Sequence, residues 1–266
     1  MSGPEAARPR DLLGSDQVEH PRRRALHTLR PVARTVIRTS LRVHSHLVDR
    51  VPRTGPVIFT PTHIGWADGP LLAIFAPRPV HALTKAEMFA GRMGAFLAWA
   101  GQIRLDRFHP DPLAIKTCVR VLRDGGAVGI FPEGTRGAGD LSRFNHGAAY
   151  LALVTGAPVV PVIMLGTRAA GASSSSLPPR FGVVDLVYGE PWRVDQAPWP
   201  RTKCRVREAS GLLREHMLSV SAEAQRLTGR SMPGPLPAGD KEYAVTGQTS
   251  DCQTSECQTS RWETHD

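Results

Sequence analysis

Cysteine is scarce: Cys118, Cys204, Cys252 and Cys257 are the only four in 266 residues, and they are scattered. That excludes a disulfide-built scaffold and a paired-CxxC zinc site, and makes a reducing, cytoplasmic setting the default. Long apolar runs are also missing. None reaches the roughly 18 to 20 residues that span a bilayer, and the longest, MFAGRMGAFLAWAGQI, is broken by Arg92 and by glycines. Membrane contact is therefore expected to be peripheral. The opening stretch MSGPEAARPRDLLGSDQVEH contains acidic residues and no apolar core, which argues against a secretory signal and an acid-poor transit peptide. Acidic residues are in deficit overall, 24 Asp and Glu against 33 Lys and Arg, for a formal charge of +9. Such a field attracts an anionic partner, whether nucleic acid, acidic lipid or a phosphorylated substrate, and does not choose among them.

What is present reads as one α/β domain with tails. Residues 1–21 are expected to form a flexible N-terminus. Residues 22–50 are expected to form a basic amphipathic helix, with Arg30, Arg34, Arg38 and Arg42 on one stripe and Leu29, Val32, Val36, Val43 and Leu47 opposite. Such a helix either lies in a membrane interface with its arginines toward anionic headgroups or packs its apolar side on the domain and leaves the arginines in water. Nucleic-acid binding is the weaker reading, because no aromatic interleaving or known module accompanies the charge.

From Gly55 onward, short apolar runs alternate with helical patterns, the rhythm of βαβ units. VIFT, VHALT, AVGIF, PVVPVIML and VVDLVYGEP read as strands. The helix after Asp111 is the best delimited, with that aspartate as N-cap, Pro112 in the first turn, Ile115, Val119 and Leu122 on one face and Gly125 at the end. Cys118, in its middle, reads as a small buried hydrophobe and not as a nucleophile. GTRAAGASSSSLPPR has the composition of a flexible loop, and a last helix is expected from Pro200 to about Leu227. The expected fold is a mostly parallel mixed sheet flanked by helices over residues 51–229. Residues 230–266, with the near-repeats GQTS, CQTS and CQTS, read as a disordered low-complexity tail.

Three segments carry chemistry. HIGWAD places His63 and Asp68 on the loop leaving the first strand, where α/β proteins hold most of their active sites; by itself, Asp68 ahead of Gly69 and Pro70 is equally a helix N-cap. FPEGTRG, Phe131 to Gly137, follows another core strand, with glycines that free the backbone and an Arg136 suited to phosphate. It lacks the Gly-Lys-Ser/Thr of a P-loop, so nucleotide hydrolysis is unsupported. GQIRLDR ends in Asp106 and Arg107. No further ligands fall at metal spacing around His63, so no metal is expected, and no G-x-S-x-G elbow supplies a serine nucleophile.

In this order the three segments resemble the glycerolipid acyltransferase family typified by lysophosphatidate acyltransferase, from about Pro52 to Pro191. His63 and Asp68 match its histidine, four residues, aspartate motif; Gly101, Ile103, Asp106 and Arg107 match the second; Phe131 to Arg136 match the third. Val160-Pro161-Val162 and Lys85 match two weaker elements. Thr62 stands where an asparagine is common, Gly65 where a serine is common, and Gly137 where a serine usually follows the arginine.

The resemblance implies acyl transfer to the free hydroxyl of lysophosphatidate, from acyl-CoA or acyl carrier protein as co-substrate and with no resident cofactor. His63 would be the general base and Asp68 its orienting carboxylate. Glu133, Gly134, Thr135 and Arg136 would line the acceptor site, with Lys85 and Arg107 adding positive charge. The expected setting is peripheral, on an anionic membrane surface at its cytoplasmic face, with no nucleic-acid partner. Alternatives are the same chemistry on another lysophospholipid, glycerol 3-phosphate or a lipid-linked alcohol, or a non-catalytic lipid-binding protein that keeps the fold.

Overall fold

In the computed structural model the described residues are 14–240 and Glu242. The CQTS repeats, Cys252, Cys257 and the first part of the expected flexible N-terminus lie outside them. Seven strands form a single sheet in the order β1-β7-β6-β2-β5-β3-β4. They are β1 (Arg42–His46), β2 (Val57–Pro61), β3 (Val80–Lys85), β4 (Ile103–Leu105), β5 (Ala127–Gly129), β6 (Val159–Leu165) and β7 (Val183–Tyr188). Every pairing is parallel except β6 with β7. The mixed, mostly parallel α/β sheet expected from the rhythm is the one observed.

Helices cover both faces, so central strands are apolar on both sides. All seven residues of β6 are buried. Alternate residues of β2 serve opposite layers. Val57 and Phe59 pack with Leu71, Leu72 and Phe75 of α2 (Asp68–Phe75). Ile58 instead joins Cys118, Val119 and Leu122 of α4 (Pro112–Arg123), Leu151 of α5 (Gly147–Thr155) and Leu213 of α6 (Lys203–Thr228). Asp111 caps α4 as expected, its side chain accepting from the Ala114 N–H. Burial raises the Cys118 thiol far above the usual range, which leaves it inert.

The segment 22–50 departs from its expected form. Helix α1 (Arg24–Arg38) ends early, and Arg42 falls on edge strand β1. The arginine stripe also faces inward. Arg34 donates to the carbonyls of Ile74 (2.8 Å) and Ala76 (3.0 Å), and Arg30 donates to both as well. Those oxygens are the unpaired C-terminal end of α2, where the helix dipole favours cations. Arg38 lies over the Phe75 ring. Arg30 is buried, which lowers its guanidinium to about 10 and still leaves it charged at neutral pH. The apolar side of α1 is the exposed one: Leu29, Val32 and Val36 face solvent. The arginines thus cap the bare end of α2, and the apolar residues of α1 are left on the outside.

Residues beyond 229 also differ from expectation as far as they are described. The segment through Glu242 packs against the loop that follows β6. The Asp240 carboxylate accepts from the Ser174 N–H and from the hydroxyls of Ser173 and Ser174. Burial opposes its ionisation, but hydrogen bonds from Glu242, Ser174 and Ser173 outweigh this and hold it well below the usual carboxylate range. The serine run, which has the composition of a flexible loop, is thus hydrogen-bonded in place.

Candidate active site

The carboxyl ends of four neighbouring parallel strands carry the chemically interesting residues. His63 lies two residues past β2, Lys85 ends β3, Arg107 lies two past β4, and Glu133 to Arg136 follow β5. The spatial order β2-β5-β3-β4 brings these loops side by side, the usual place for an α/β site.

His63 Nδ1 stands 3.0 Å from Asp68 Oδ2. The same oxygen accepts the backbone N–H of Ile64 (2.7 Å) and Gly65 (2.8 Å). Asp68 opens α2 but does not cap it, since Ala67 holds the cap position. Its carboxylate instead reaches back and folds the HIGWAD loop around itself. Asp68 is fully buried, whereas the His63 side chain remains 21% exposed. With Nδ1 committed to the carboxylate, Nε2 is the nitrogen left to take a proton. The imidazole also packs on the Phe131 ring, with centroids 4.3 Å apart.

The loop after β5 holds the histidine main chain from both sides. Glu133 Oε1 accepts the His63 N–H (3.0 Å), and the Gly137 N–H donates to the His63 carbonyl (2.8 Å). Burial, helped by the charges of Asp68 and Asp140 and opposed by the His63 N–H, raises the Glu133 carboxyl to about 8. Glu133 therefore supports the dyad from beneath instead of standing open to an acceptor. Gly134 adopts φ +72°, which strains any residue with a side chain, and a Cβ there would come within 2.6 Å of Asn145 Nδ2 and displace that amide. The Gly134 carbonyl accepts from Arg107 Nη1 (3.1 Å), while Arg107 Nη2 pairs with Glu87 Oε1. Lys85 adds to the positive field on Glu87. Thr135 is buried. Arg136 turns away toward the C-terminal segment, donating to the Ser174 carbonyl (3.0 Å) and to Glu242 Oε1 (2.6 Å).

Sequence reasoning missed Arg168. This buried guanidinium donates to the carbonyls of Ile64 (2.7 Å), Gly137 (3.0 Å), Ala172 (3.0 Å) and Gly234 (2.6 Å). It ties the HIGWAD loop, the FPEGTRG loop, the loop after β6 and the C-terminal segment into one unit. Its sequence signal is a repeat: Gly-Thr-Arg occurs after β5 as 134–136 and after β6 as 166–168. Gly65 has a local reason too, since a Cβ there would stand 2.9 Å from the Thr167 carbonyl.

A histidine on a fully buried carboxylate, with Lys85 and Arg107 beyond the ends of neighbouring strands, is what the fold gathers here. The family description Acyltransferase matches residues 42–165. The chain is 33% identical over 145 residues to a 1-acyl-sn-glycerol-3-phosphate acyltransferase of Bacillus subtilis, an overlap of 54% of this chain and 70% of the relative. It is 30% identical over 125 residues to a lyso-ornithine lipid O-acyltransferase of Pseudomonas aeruginosa, 46% of this chain and 48% of that one. The crystal structure of the 1-acyl-sn-glycerophosphate acyltransferase PlsC of Thermotoga maritima shares the fold, with TM-score 0.55, 21% identity and coverage of 77% of this chain and 80% of that one. The chain belongs to the glycerolipid acyltransferase family and is an acyltransferase. The overlap with several other relatives covers about half of their length or less.

Proposed function

We propose that the protein transfers a fatty acyl group from acyl-CoA or acyl carrier protein to the free hydroxyl of lysophosphatidate, giving phosphatidate, at the cytoplasmic face of a membrane. The observation that carries this reading is the fully buried Asp68 on His63 Nδ1. His63 Nε2 removes the hydroxyl proton as the substrate oxygen attacks the thioester carbonyl. The new C–O bond forms, the C–S bond breaks, and the thiolate leaves as a good leaving group that regains a proton from the imidazolium. Asp68 fixes the imidazole tautomer and stabilises that cation. General-base help contributes about 10² to 10⁴ in rate, so acceptor positioning must contribute much of the remainder. In this reading Lys85, at the end of β3, and Arg107, two residues past β4, offer positive charge to the acceptor phosphate. Arg136 joins them only if Glu242 gives way.

Lipid contact is assigned to apolar surface. Trp66, between His63 and Asp68 in sequence, is exposed. So are Met93, Phe96 and Trp99 on α3 (Gly91–Trp99), and Leu29, Val32 and Val36 on α1. No helix among the described residues is long and apolar enough to cross a membrane, so these faces suit peripheral contact with lipid.

The test is to incubate the purified protein with acyl-CoA or acyl carrier protein and a panel of acceptors while following free thiol. The panel holds lysophosphatidate, other lysophospholipids, glycerol 3-phosphate and lyso-ornithine lipid. Acceptor-dependent thiol release, fastest with lysophosphatidate and abolished by His63→Ala with the fold intact, is expected. Equal or faster reaction with the phosphate-free acceptor would move the assignment toward the lyso-ornithine lipid class. No release across the panel would favour a lipid-binding role without catalysis.

A further inference from the structure

A second group of ligand-bearing side chains lies at the β1 edge of the sheet and shares no residue with the catalytic loops. His44 and His46 are two apart on β1, so both imidazoles share one face of the strand. The register pairs His44 with Asp185 and His46 with Val187. Val43 packs in the core beneath α2, whereas Val187 packs with Val220 and Ala224 of α6. The histidines and Asp185 therefore lie on the α6 side. His44 Nδ1 is 3.3 Å and His46 Nε2 is 2.8 Å from Asp185 Oδ1, and all three ligand atoms lie within 4.8 Å of one another.

Neighbouring ligands held about 2.0–2.2 Å from one first-row divalent ion stand roughly 3.0–3.4 Å apart. The two histidine–carboxylate separations are already close to that range, and the two histidine nitrogens, within 4.8 Å of each other, close by side-chain rotation. The supporting shell is in place as well. Asp185 is buried, and its second oxygen accepts from Arg230 Nε at 3.0 Å, which turns Oδ1 toward the histidines. The His44 side chain is 54% exposed, so a bound ion keeps open positions for water. The donor set of two imidazoles and one carboxylate suits Zn²⁺, Ni²⁺ or Co²⁺ and is poor for Mg²⁺ or Ca²⁺, which prefer oxygen.

We propose that His44, His46 and Asp185 form a binding site for a divalent transition metal that clamps edge strand β1 to β7. The Arg230 charge opposes the ion and weakens its binding. The role is structural: β1 follows α1 and pairs with a single strand, so a clamp there secures the N-terminal segment to the sheet.

The test is titration of the full-length, metal-stripped protein with Co²⁺, followed by visible absorption and calorimetry, and with Zn²⁺, followed by thermal melting. One equivalent of Co²⁺ should bind with nitrogen and oxygen ligation, and Zn²⁺ should raise the melting temperature. His44→Asn should weaken binding at least tenfold, and His44→Asn with His46→Asn should abolish both effects, whereas His109→Asn, at an exposed histidine that lies outside the cluster and pairs with Asp106, should change neither. His44 is half exposed, so its variant keeps the fold, and the metal-free melting curve checks that. Absence of Co²⁺ binding up to millimolar concentration overturns the proposal. So does binding that both histidine variants retain, or a thiolate charge-transfer band showing that the cysteines hold the ion.

Discussion

Replacing Asp68 separates the two tasks that its carboxylate performs. In Asp68→Asn the amide oxygen can occupy the place of Oδ2 and still accept from His63 Nδ1, Ile64 N and Gly65 N, the three donors within 3.0 Å. The amide nitrogen then falls where Oδ1 has no hydrogen-bond partner among the described residues, so the stability cost stays near ~1–2 kcal/mol. What disappears is the negative charge facing the imidazolium. Exchanging a charge-assisted hydrogen bond for a neutral one, with the loss of the buried Coulomb attraction, costs about 2–4 kcal/mol in the transition state. That is a fall in kcat of roughly 30- to 1000-fold. Asp68→Ala adds a folding defect, because the Ile64 and Gly65 N–H groups lose their acceptor at about 1–3 kcal/mol each. Acyl transfer by thiol release, together with urea unfolding, reads both quantities. An Asn variant within threefold of wild-type kcat would refute the imidazolium argument. An Ala variant as stable as the Asn variant would refute the loop-folding one.

Glu133 makes stability depend on pH. Its carboxyl is raised from 4.5 to about 8 in the fold, so the stabilising contribution is present below about pH 4.5 and is lost as pH climbs to 8. Relative to Glu133→Gln, the wild type should lose up to about 1.4 kcal/mol per pH unit across that window, measured by denaturant unfolding at several pH values; parallel curves would contradict the burial argument. Arg168→Ala strands four carbonyls at once and should destabilise by about 3–5 kcal/mol, with Lys restoring only part because it lacks the fork. A loss below 1 kcal/mol, on the scale of a surface change, would show that the four bonds are dispensable. Glu242→Gln replaces the Arg136 ion pair by a neutral hydrogen bond and should lower the KM for a phosphate-bearing acceptor about fivefold, the equivalent of about 1 kcal/mol, with kcat unchanged. An unchanged KM would leave Arg136 as an anchor of the C-terminal segment and remove it from the acceptor site.

The legible part of this protein was the part written in local pattern. The buried run Val159–Leu165 reads as a covered strand because both its faces are apolar, and Asp111-Pro112 reads as a helix start because capping chemistry is local. The dyad was legible for a different reason: five residues of separation and a following helix place His63 and Asp68 within one loop, so their meeting at 3.0 Å needs no distant partner. The stripe of α1 was misread because its periodicity shows which residues share a face and says nothing of which face the domain wants. That choice belonged to the bare carbonyls of Ile74 and Ala76, some forty residues away. Longer separations, 66 residues from Ser174 to Asp240 and 106 from Arg136 to Glu242, hid the contacts of a segment whose composition suggests disorder.

The sequence by itself determined the alternation of strands and helices, the histidine with its carboxylate, and the glycines that let the loop after β5 turn, because each is fixed by bonds within a few residues. The tertiary structure decided how those loops are joined. Strand order placed Glu133 under His63, Arg168 drew four segments together, and Arg136 was turned toward Glu242. Those choices depend on buried donors and acceptors that must find partners wherever the fold brings them, and no spacing along the chain records that.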